Sequence, residues 1–376
     1  MTVAALSVSG LRVCFVAGTL GSGGAERQLF YMTRELKRAG ADVRVLSLRK
    51  GELWQPRIEA VGVPVVWVGE SESRALRMAR IAREVRAFRP EILQAGHFFT
   101  NLYVASAARL VGAKDFGAIR NDVYSELRAL GPLLGQASLR APTKLIVNSR
   151  AAVENATKVG IARDRLEYLP NVVDTDVFHP IERPPNPRPR ILSVGRLERS
   201  KRHDLLIEAL AGLRNERGLD FEAEIVGTGS LRGALDAQCR ARGLDDRVRF
   251  LGHRDDMPAV YQAADVFVLT SDHEGTPNAV MEAMASGVAV VATAVGGVAE
   301  LIHDASLGFV VAPRDRAAIA SSLAVLITEP ERARRARTAA AQAMRSRGTA
   351  SAATRLGLLY GAALESRTSR SAAHAE

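Results

Sequence analysis

The chain has 376 residues, enough for about two domains of ordinary size. Hydrophobic residues make up 47% of it and charged residues 24%, which is typical of a globular protein and excludes a disordered or fibrous chain. The formal net charge of +10 favours an anionic partner. Because no nucleic-acid-binding motif accompanies the scattered arginines, we do not expect that partner to be DNA or RNA.

The cysteines and the hydropathy pattern indicate the cellular compartment. Cys14 and Cys239 lie in core-like or helical contexts, so we expect free thiols in a reducing environment. The first residues lack the basic region of a signal peptide, and no apolar run approaches ~18 residues. We therefore expect a cytoplasmic protein without a membrane span.

Short apolar runs alternate with helical patterns in the first half of the chain. Residues 11–18 predict a buried strand, and the helix that follows places Leu29, Met32 and Leu36 on one face before a stop at Gly40. Further strands are predicted at "DVRVLSL", "VPVVWVG", "EILQAG", "GAIRN" and "KLIVNS". This alternation predicts a doubly wound parallel sheet.

A proline-rich segment interrupts the alternation, and a second series of strands and helices follows it. We predict a Rossmann-like domain at 1–176, a linker at 177–190, a second Rossmann-like domain at 191–352, and a C-terminal helix with a disordered tail at 353–376. Ligands of open α/β sheets bind at the carboxyl ends of the strands. Two such domains that face each other across a cleft would bind a ligand there.

A glycine-rich loop, "AGTLGSGGAERQ", follows the first strand. Gly21, Gly23 and Gly24 would let a ligand approach the backbone ahead of a helix N-terminus, whose amides favour anions. A tight turn without a ligand would explain the same glycines. A dinucleotide site does not fit, because its pattern needs glycine where Glu26 stands and an acid after the second strand, which ends in "SLRKG".

Basic residues and glycines follow the predicted strands of the second half. Arg196 and Lys201 come after "RILSV", where they could face a phosphate, although solvated surface charge is the alternative. Gly227 follows the next strand in "IVGTGS". "RVRFLGH" ends a strand at Gly252, and His253 follows it, where backbone contacts could hold a flat base; a surface histidine is the ordinary alternative.

The stretch "SDHEGTPNAVMEAMASG" carries two carboxylates on either side of a turn. Glu274 lies directly after the strand "DVFVLTS", and Glu282 lies about one turn inside the following helix. Carboxylates accept hydrogen bonds from sugar hydroxyls, and free amides donate to phosphate oxygens, so the pattern suits a ligand with a sugar, a diphosphate and a ribose. We expect exposed amides in the segment from Gly275 to Asn278, and the ligand-binding residues predicted there are Gly275, Thr276, Pro277 and Asn278.

The block "EGTPNAVMEAMASGVAVVATAVGGVAELI" resembles the signature of family 4 glycosyltransferases, which have the GT-B fold. "GSGGAERQ", "LPNVVDTDVF", "SVGRLERSKRHD", "VGTGSLR" and "FLGH" resemble the same family at matching positions, so the resemblance spans nearly the whole chain. It implies retaining transfer from a nucleotide-diphosphate sugar. We expect a carbohydrate or lipid-linked acceptor, in cell-surface polysaccharide or glycolipid synthesis. The N-terminal domain would lie on the acceptor side.

The resemblance also implies roles for individual residues. Glu274 would hold hydroxyls of the donor sugar and Glu282 the ribose. Arg196 and Lys201 would neutralise the departing diphosphate. His97, in "QAGHFFTN", matches the histidine that the family places near the donor sugar.

Gly23 and Gly24 would close on the donor from the N-terminal side. One departure from the family pattern is Val172, where glycine is common; we expect it to alter a turn near the linker and not the chemistry. The "DTD" at 174–176 lies near the linker and not after a nucleotide-binding strand. We therefore predict no required metal and no cofactor besides the donor substrate.

Three other functions are compatible with part of the pattern. A hydrolase could use Glu274 and Glu282 as acid and nucleophile, but this leaves the flanking Arg, Lys and glycine loops unexplained. A non-catalytic nucleotide-sugar binding protein would be expected to have lost Arg196, Lys201 or Glu274, and all three are present. A sugar-nucleotide epimerase shares the fold, but the order of the motifs favours a transferase.

Residues 74–89 predict an amphipathic helix. One interpretation is a surface helix whose apolar face packs on the sheet. The other is that its arginines bind anionic lipid at the inner face of the membrane. The apolar face comprises Met78, Ile81, Val85 and Phe88, and the opposite face Arg80, Arg83 and Arg86.

Overall fold

The computed structural model describes residues 8–70 and 73–372. The chain forms two compact units, one of residues 1–172 with 349–376 and one of residues 173–348, which we call the first and second domains. The last residues of the predicted disordered tail, 373–376, lie outside the described part of the chain.

The first domain is built on a parallel sheet of seven strands. Their spatial order is β3-β2-β1-β4-β5-β6-β7, so the order reverses between β1 and β4. The strands are β1 Arg12–Ala17, β2 Asp42–Ser47, β3 Val65–Trp67, β4 Ile92–Ala95, β5 Lys114–Ile119, β6 Lys144–Val147 and β7 Leu166–Tyr168.

The second domain has a parallel sheet of six strands in the order β10-β9-β8-β11-β12-β13. Here the order reverses between β8 and β11. The strands are β8 Arg190–Val194, β9 Glu222–Val226, β10 Val248–Gly252, β11 Val266–Leu269, β12 Ala289–Thr293 and β13 Phe309–Val311.

Helices connect the strands in both domains. Those of the first domain are α1 Gly24–Arg38, α2 Gln55–Ala60, α3 Arg74–Phe88, α4 Asn101–Val111, α5 Val123–Leu130, α6 Pro132–Arg140 and α7 Arg150–Lys158. Those of the second are α8 His203–Ala211, α9 Arg232–Ala241, α10 Met257–Ala263, α11 Asn278–Ala285, α12 Val298–Leu301, α13 Arg316–Thr328 and α14 Pro330–Met344. The last helix, α15 Ser351–Ala372, belongs to the first domain.

The apolar periods explain why these elements form where they do. All residues of β1 except Arg12 are buried, as expected of a central parallel strand covered on both faces. In α1, the predicted face of Leu29, Met32 and Leu36 is buried, and Gly40 then takes a left-handed φ of 86°. The predicted βα alternation is therefore confirmed.

Helix α15 returns the end of the chain to the first domain. Leu356 and Tyr360 are fully buried in the core cluster that also contains Phe15 and Phe116. The Tyr360 and Phe116 ring centroids lie 5.5 Å apart. The sequence assigned 353–376 to a separate segment, because its apolar period does not show which sheet it covers.

The proline-rich segment that we predicted as a linker, 177–190, is part of the second domain. Arg183 Nη2 and Asn186 Nδ2 each donate to the Asp265 carboxylate at 2.7 Å. Phe178 is buried and packs edge-on against the Tyr261 ring. The segment has no regular structure, but these contacts fix it on its own domain.

Helix α3 packs on the sheet as the first interpretation required. Ile81, Val85 and Phe88 are buried. On the other side of the helix, Arg80 pairs with Glu70 at 2.6 Å and Arg83 with Glu84 at 3.2 Å, so carboxylates offset part of the charge of α3.

Cys14 and Cys239 are buried free thiols. Within the described residues, no helix has the length and apolar character needed to cross a membrane.

Candidate active site

The strand order of the second sheet brings two loops together. Strands β8 and β11 are hydrogen-bonded neighbours although three helices and two strands separate them in sequence. Their order reversal is the place where open α/β sheets bind ligands. The loop after β8 carries Arg196 and Lys201, and the loop after β11 carries Glu274.

Lys201 and Glu274 form an ion pair at this reversal. Lys201 Nζ lies 2.5 Å from Glu274 Oε1, and the side chains are 20% and 12% exposed. Ser271 Oγ donates to the same carboxylate oxygen at 2.7 Å. Both groups are positioned by hydrogen bonds and remain partly exposed to solvent. The cation can therefore bind a phosphate, and the neighbouring carboxylate a sugar hydroxyl.

Hydrogen bonds to backbone carbonyls connect the same two loops. Thr270 Oγ1 donates to the carbonyl oxygens of Lys201 and Arg202 at 3.0 and 2.9 Å. The Asp272 N–H donates to the Ser200 carbonyl at 2.8 Å. The Lys201–Glu274 pair is therefore positioned by main-chain contacts as well as by its own charges.

Two arginines with left-handed backbone converge on Asp272. Arg202 and Arg314 have φ of 53° and 66°, a conformation that costs a non-glycine residue on the order of 1 kcal/mol. Arg314 Nη2 lies 3.0 Å and Arg202 Nη1 3.4 Å from Asp272 Oδ2. These contacts hold the pKa of Asp272 below its usual range, so this carboxylate stays ionised beside Glu274.

Arg196 is placed differently from Lys201, although the sequence treated them alike. Its side chain is 67% exposed, and Nη1 donates to Glu198 Oε1 at 2.9 Å. The structure thus brings Lys201 to Glu274 and leaves the Arg196 guanidinium in solvent.

Gly227 lies directly against the loop after β8. It has a φ of 141°, and a Cβ atom there would overlap the carbonyl oxygen of Gly195. Its N–H donates to the Gly252 carbonyl at 2.8 Å. The predicted glycines of neighbouring strand ends therefore meet, whereas the following His253 is half exposed beside Asp255.

His203 lies beneath the same loop and was missed by the sequence analysis. It is 3% exposed, and a Cβ atom at Gly195 would lie 3.7 Å from His203 Nε2 and 3.6 Å from Lys201 Cδ. Burial first, and then the Lys201 charge, lower the pKa of His203 to about 4, so the ring is neutral at pH 7. Its position directly after "ERSKR" was the available signal.

The turn between the two predicted carboxylates is more enclosed than expected. Gly275, Thr276 and Pro277 are buried, whereas the sequence suggested exposed amides at this turn. The cause is the loop after β12: Gly297 N–H donates to the Gly275 carbonyl at 2.6 Å. Asn278 then begins α11 and is half-buried.

Glu282 lies inside α11, as its sequence position predicted. It is 3% exposed, and Oε2 accepts a hydrogen bond from the Tyr261 hydroxyl at 3.0 Å. This contact orients the carboxylate within the second domain, where its predicted ribose contact stays a prediction.

The first sheet places His97 beside the glycine-rich loop at its own order reversal. Gly18, after β1, donates its N–H to His97 Nδ1 at 3.2 Å. Nε2 lies 3.1 Å from Glu26 Oε1. Since Nδ1 accepts, we assign the proton to Nε2, which makes His97 a neutral donor to Glu26.

Glu26 connects the histidine to the predicted donor loop. A Cβ atom at Gly23 would overlap Glu26 Oε2, so that glycine leaves room for the carboxylate. Gly24 is the first residue of α1. The sequence analysis used Glu26 only as an argument against a dinucleotide site and did not foresee its pairing with His97.

Two further features of the first domain bear on the predictions. Gln28 binds both backbone groups of Val172, with Nε2 donating to its carbonyl at 2.7 Å and Oε1 accepting its N–H at 2.9 Å. These two bonds fix the backbone of Val172 against α1. Burial raises the pKa of Glu126 on α5 to about 7.

Two sequence models of glycosyltransferase families match the chain. The model described as Glycosyltransferase Family 4 matches residues 22–177, and that described as Glycosyl transferases group 1 matches residues 174–343. The chain is a glycosyltransferase of the family 4 type. This confirms the family predicted from the "EGTPNAVMEAMASG" block.

Relatives of this glycosyltransferase match it over most of their length. The 2-deoxystreptamine glucosyltransferase of Streptomyces kanamyceticus is 27% identical over 327 residues, covering 78% of this chain and 83% of the relative. The lipopolysaccharide core biosynthesis glycosyltransferase LpsE of Rhizobium meliloti is 26% identical and covers 82% and 86%.

Solved structures share the fold of this glycosyltransferase. Anabaena HepE in complex with UDP and glucose has a TM-score of 0.79 at 19% identity, covering 92% of this chain and 98% of that one. Sucrose-phosphate synthase from Thermosynechococcus elongatus has a TM-score of 0.79 at 18% identity, covering 94% and 100%. The predicted GT-B fold of two parallel α/β domains is confirmed.

Proposed function

We propose that this glycosyltransferase transfers a hexose, with retention, from a nucleotide-diphosphate sugar to a carbohydrate or lipid-linked acceptor. The observation that carries the proposal is the Lys201–Glu274 pair at the order reversal of the second sheet. One loop there offers a cation for phosphate and its neighbour a carboxylate for sugar hydroxyls.

Departure of the nucleotide diphosphate builds negative charge on its bridging oxygen and positive charge on the anomeric carbon. Lys201 would stabilise the phosphate charge, and Glu274, released from Lys201 when phosphate binds, would accept hydrogen bonds from the sugar. Arg196 is exposed and free to swing to the outer phosphate by breaking its bond to Glu198. A diphosphate is a good leaving group, so no strong general acid is required.

The geometry of Glu282 disfavours the hydrolase alternative. An acid and nucleophile pair needs both carboxylates at the scissile bond. Glu282 is buried within α11 and bonded to the Tyr261 hydroxyl, which suits a fixed acceptor of hydrogen bonds better than a nucleophile. In the proposed reaction it binds the ribose, and His253 and Gly252 lie by the base.

In the first domain, the residues proposed to contact the donor are His97 and those of the glycine-rich loop. The neutral His97 ring can turn its Nε2 hydrogen from Glu26 to a sugar hydroxyl. Gly23 and Gly24 would allow the donor to approach the start of α1.

The comparisons guide the choice of donor and acceptor. HepE was solved in complexes with UDP and with UDP-glucose, so a UDP-hexose is the first donor to test. Relatives named for a 2-deoxystreptamine, a D-inositol 3-phosphate and a lipopolysaccharide core acceptor support a carbohydrate or lipid-linked acceptor in polysaccharide or glycolipid synthesis.

A thermal-shift panel of UDP-, GDP- and ADP-sugars tests the donor site. We expect one nucleotide to raise the melting temperature, because a ligand that binds only the folded state stabilises it by mass action. Glu274→Gln should weaken the response to the nucleotide sugar more than the response to the free nucleotide diphosphate. Excess EDTA should leave both responses unchanged, since the proposal requires no metal.

Turnover with the donor so identified then tests the reaction. The anomeric configuration of the product, read by proton NMR, should match that of the donor. If no nucleotide sugar raises the melting temperature at millimolar concentration, the proposed donor site is contradicted. If the product has the inverted anomeric configuration, the proposed retention is contradicted.

Peripheral contact with anionic membrane is a further part of the proposal. Its support is the net charge of +10 and the arginines of α3, of which the half-buried Arg80 and the exposed Arg83 already pair with acids. We expect the protein to sediment with anionic vesicles at low salt and with neutral vesicles much less. Equal sedimentation with both, or none with either, would remove this contact from the proposal.

A further inference from the structure

Arg120 lies directly after β5 in the first domain. It is a half-buried cation, and its guanidinium contacts a thioether. Its Nη2 lies 3.6 Å from the Met32 sulfur. Gln94 Nε2 points at the same sulfur from 3.8 Å, and Gln94 Oε1 accepts the Tyr360 hydroxyl at 2.6 Å. Among the described residues, no carboxylate forms an ion pair with this guanidinium.

Three other half-buried arginines of the first domain each lie beside a carboxylate. Arg34, 12% exposed, lies 2.7 Å from Glu35, and Arg80, 32% exposed, lies 2.6 Å from Glu70. Arg44, 28% exposed, lies 3.8 Å from Glu84. Arg120 differs from these in having a thioether where they have a carboxylate.

Burial of this guanidinium without a counter-charge destabilises the folded state. Loss of hydration lowers the pKa of Arg120 to about 10, with only Tyr360 acting in the other direction. A hydrophobic side chain of similar length is generally at least as stable at such a site as a buried charge. Packing against Met32 and Tyr360 therefore does not account for a guanidinium at this position.

The position of Arg120 indicates what would balance its charge. Strand β5 is the neighbour of β4, and both end at the same edge of the sheet, where His97 follows β4. Ligands of such sheets bind at this edge. A guanidinium binds phosphate or carboxylate through two parallel N–H bonds, which a lysine cannot reproduce.

We infer that Arg120 binds an anionic group of the acceptor, a phosphate or a carboxylate, in the first domain. This deepens the proposed function, on which it rests for calling the ligand the acceptor. The enzyme would then select acceptors that carry a negative charge over neutral ones.

Inorganic phosphate is the probe for the first test, compared with chloride at equal ionic strength. Without phosphate, Arg120→Met should melt at or above the temperature of the native protein, because an unbalanced charge has been removed. It should then need about tenfold more phosphate for a given rise in melting temperature. The control is Arg128→Met, an exposed arginine of α5 bonded to Ser125, which should respond like the native protein.

Lys201→Ala and the double variant separate this site from the donor site, which also binds phosphate. Arg120→Met should remove the same part of the phosphate response whether or not Lys201 is present. An unchanged phosphate response in Arg120→Met would overturn the inference, as would a lower melting temperature without phosphate, which indicates a structural role. Neither result depends on a nucleotide sugar, so this test can fail while the donor panel succeeds, and the reverse.

Vesicles distinguish a lipid phosphate from a soluble one. Phosphatidic acid vesicles and free phosphate are offered separately to the native protein and to Arg120→Met. A response to either source that requires Arg120 supports the inference and names the source. Binding of both sources that is independent of Arg120 contradicts it.

Discussion

Lys201→Ala is expected to lower kcat/KM for transfer by about 10²–10³, the usual loss when one contact to a developing negative charge is removed. Lys201 is the half-buried cation of the proposed diphosphate site and is bonded to Glu274 at 2.5 Å. Its loss also leaves the Glu274 carboxylate, 12% exposed, without its cation. Steady-state turnover with the donor found in the nucleotide-sugar panel measures the effect.

Lys144→Ala is the matched control for this variant. Lys144 Nζ is paired with Glu167 at 2.9 Å at the start of β6 in the first domain, and both side chains are partly exposed, so this variant loses a similar ion pair that involves none of the predicted donor residues. Its turnover should stay within about twofold of the native value, because partly exposed pairs contribute little. Equal losses in the two variants would mean that the Lys201 effect is one of general stability.

Gly227→Ala is expected to destabilise the second domain by roughly 3 kcal/mol, from a backbone conformation open only to glycine and from steric overlap. The φ of 141° strains any side chain, and the new Cβ would overlap the Gly195 carbonyl. For a domain of this size the melting temperature should fall by about 6–12 °C. Nucleotide binding should weaken as well, since the loop that carries Lys201 must move.

Gly233→Ala provides the comparison for this glycine. Gly233 lies in α9 with open space where a Cβ would be, so alanine should leave the melting temperature unchanged or raise it slightly. Differential scanning calorimetry of the two variants measures both effects. A Gly227→Ala protein that melts with the native one would show that the loop after β8 relaxes without cost.

The fold could be predicted because it depends on local patterns, and the same patterns led to the candidate site at the strand ends. The apolar runs of β1 and the period of α1 predict a βα series, and Glu274 follows a strand that can only be buried. The different placement of Arg196 and Lys201 could not be predicted. It depends on the pairing of β8 with β11 and on the left-handed backbone of Arg202, and neither appears as a period in the sequence.

Long-range pairs escaped the sequence analysis for a similar reason. Glu26 and His97 lie far apart in the chain and meet because β1 and β4 are neighbours at the order reversal. Arg120 looks like any strand-end arginine until its lack of a carboxylate is seen. The contacts of such a side chain depend on the tertiary structure, so a local sequence pattern does not show whether it has a carboxylate partner.

The return of α15 to the first domain has a consequence for synthesis on the ribosome. Residues 173–348 form a complete domain before α15 has been translated, whereas the first domain still lacks Leu356 and Tyr360 from its core. The second domain can therefore finish folding first, although it begins later in the chain. Until α15 has been made, the apolar residues of the first sheet that pack against Leu356 and Tyr360 stay uncovered.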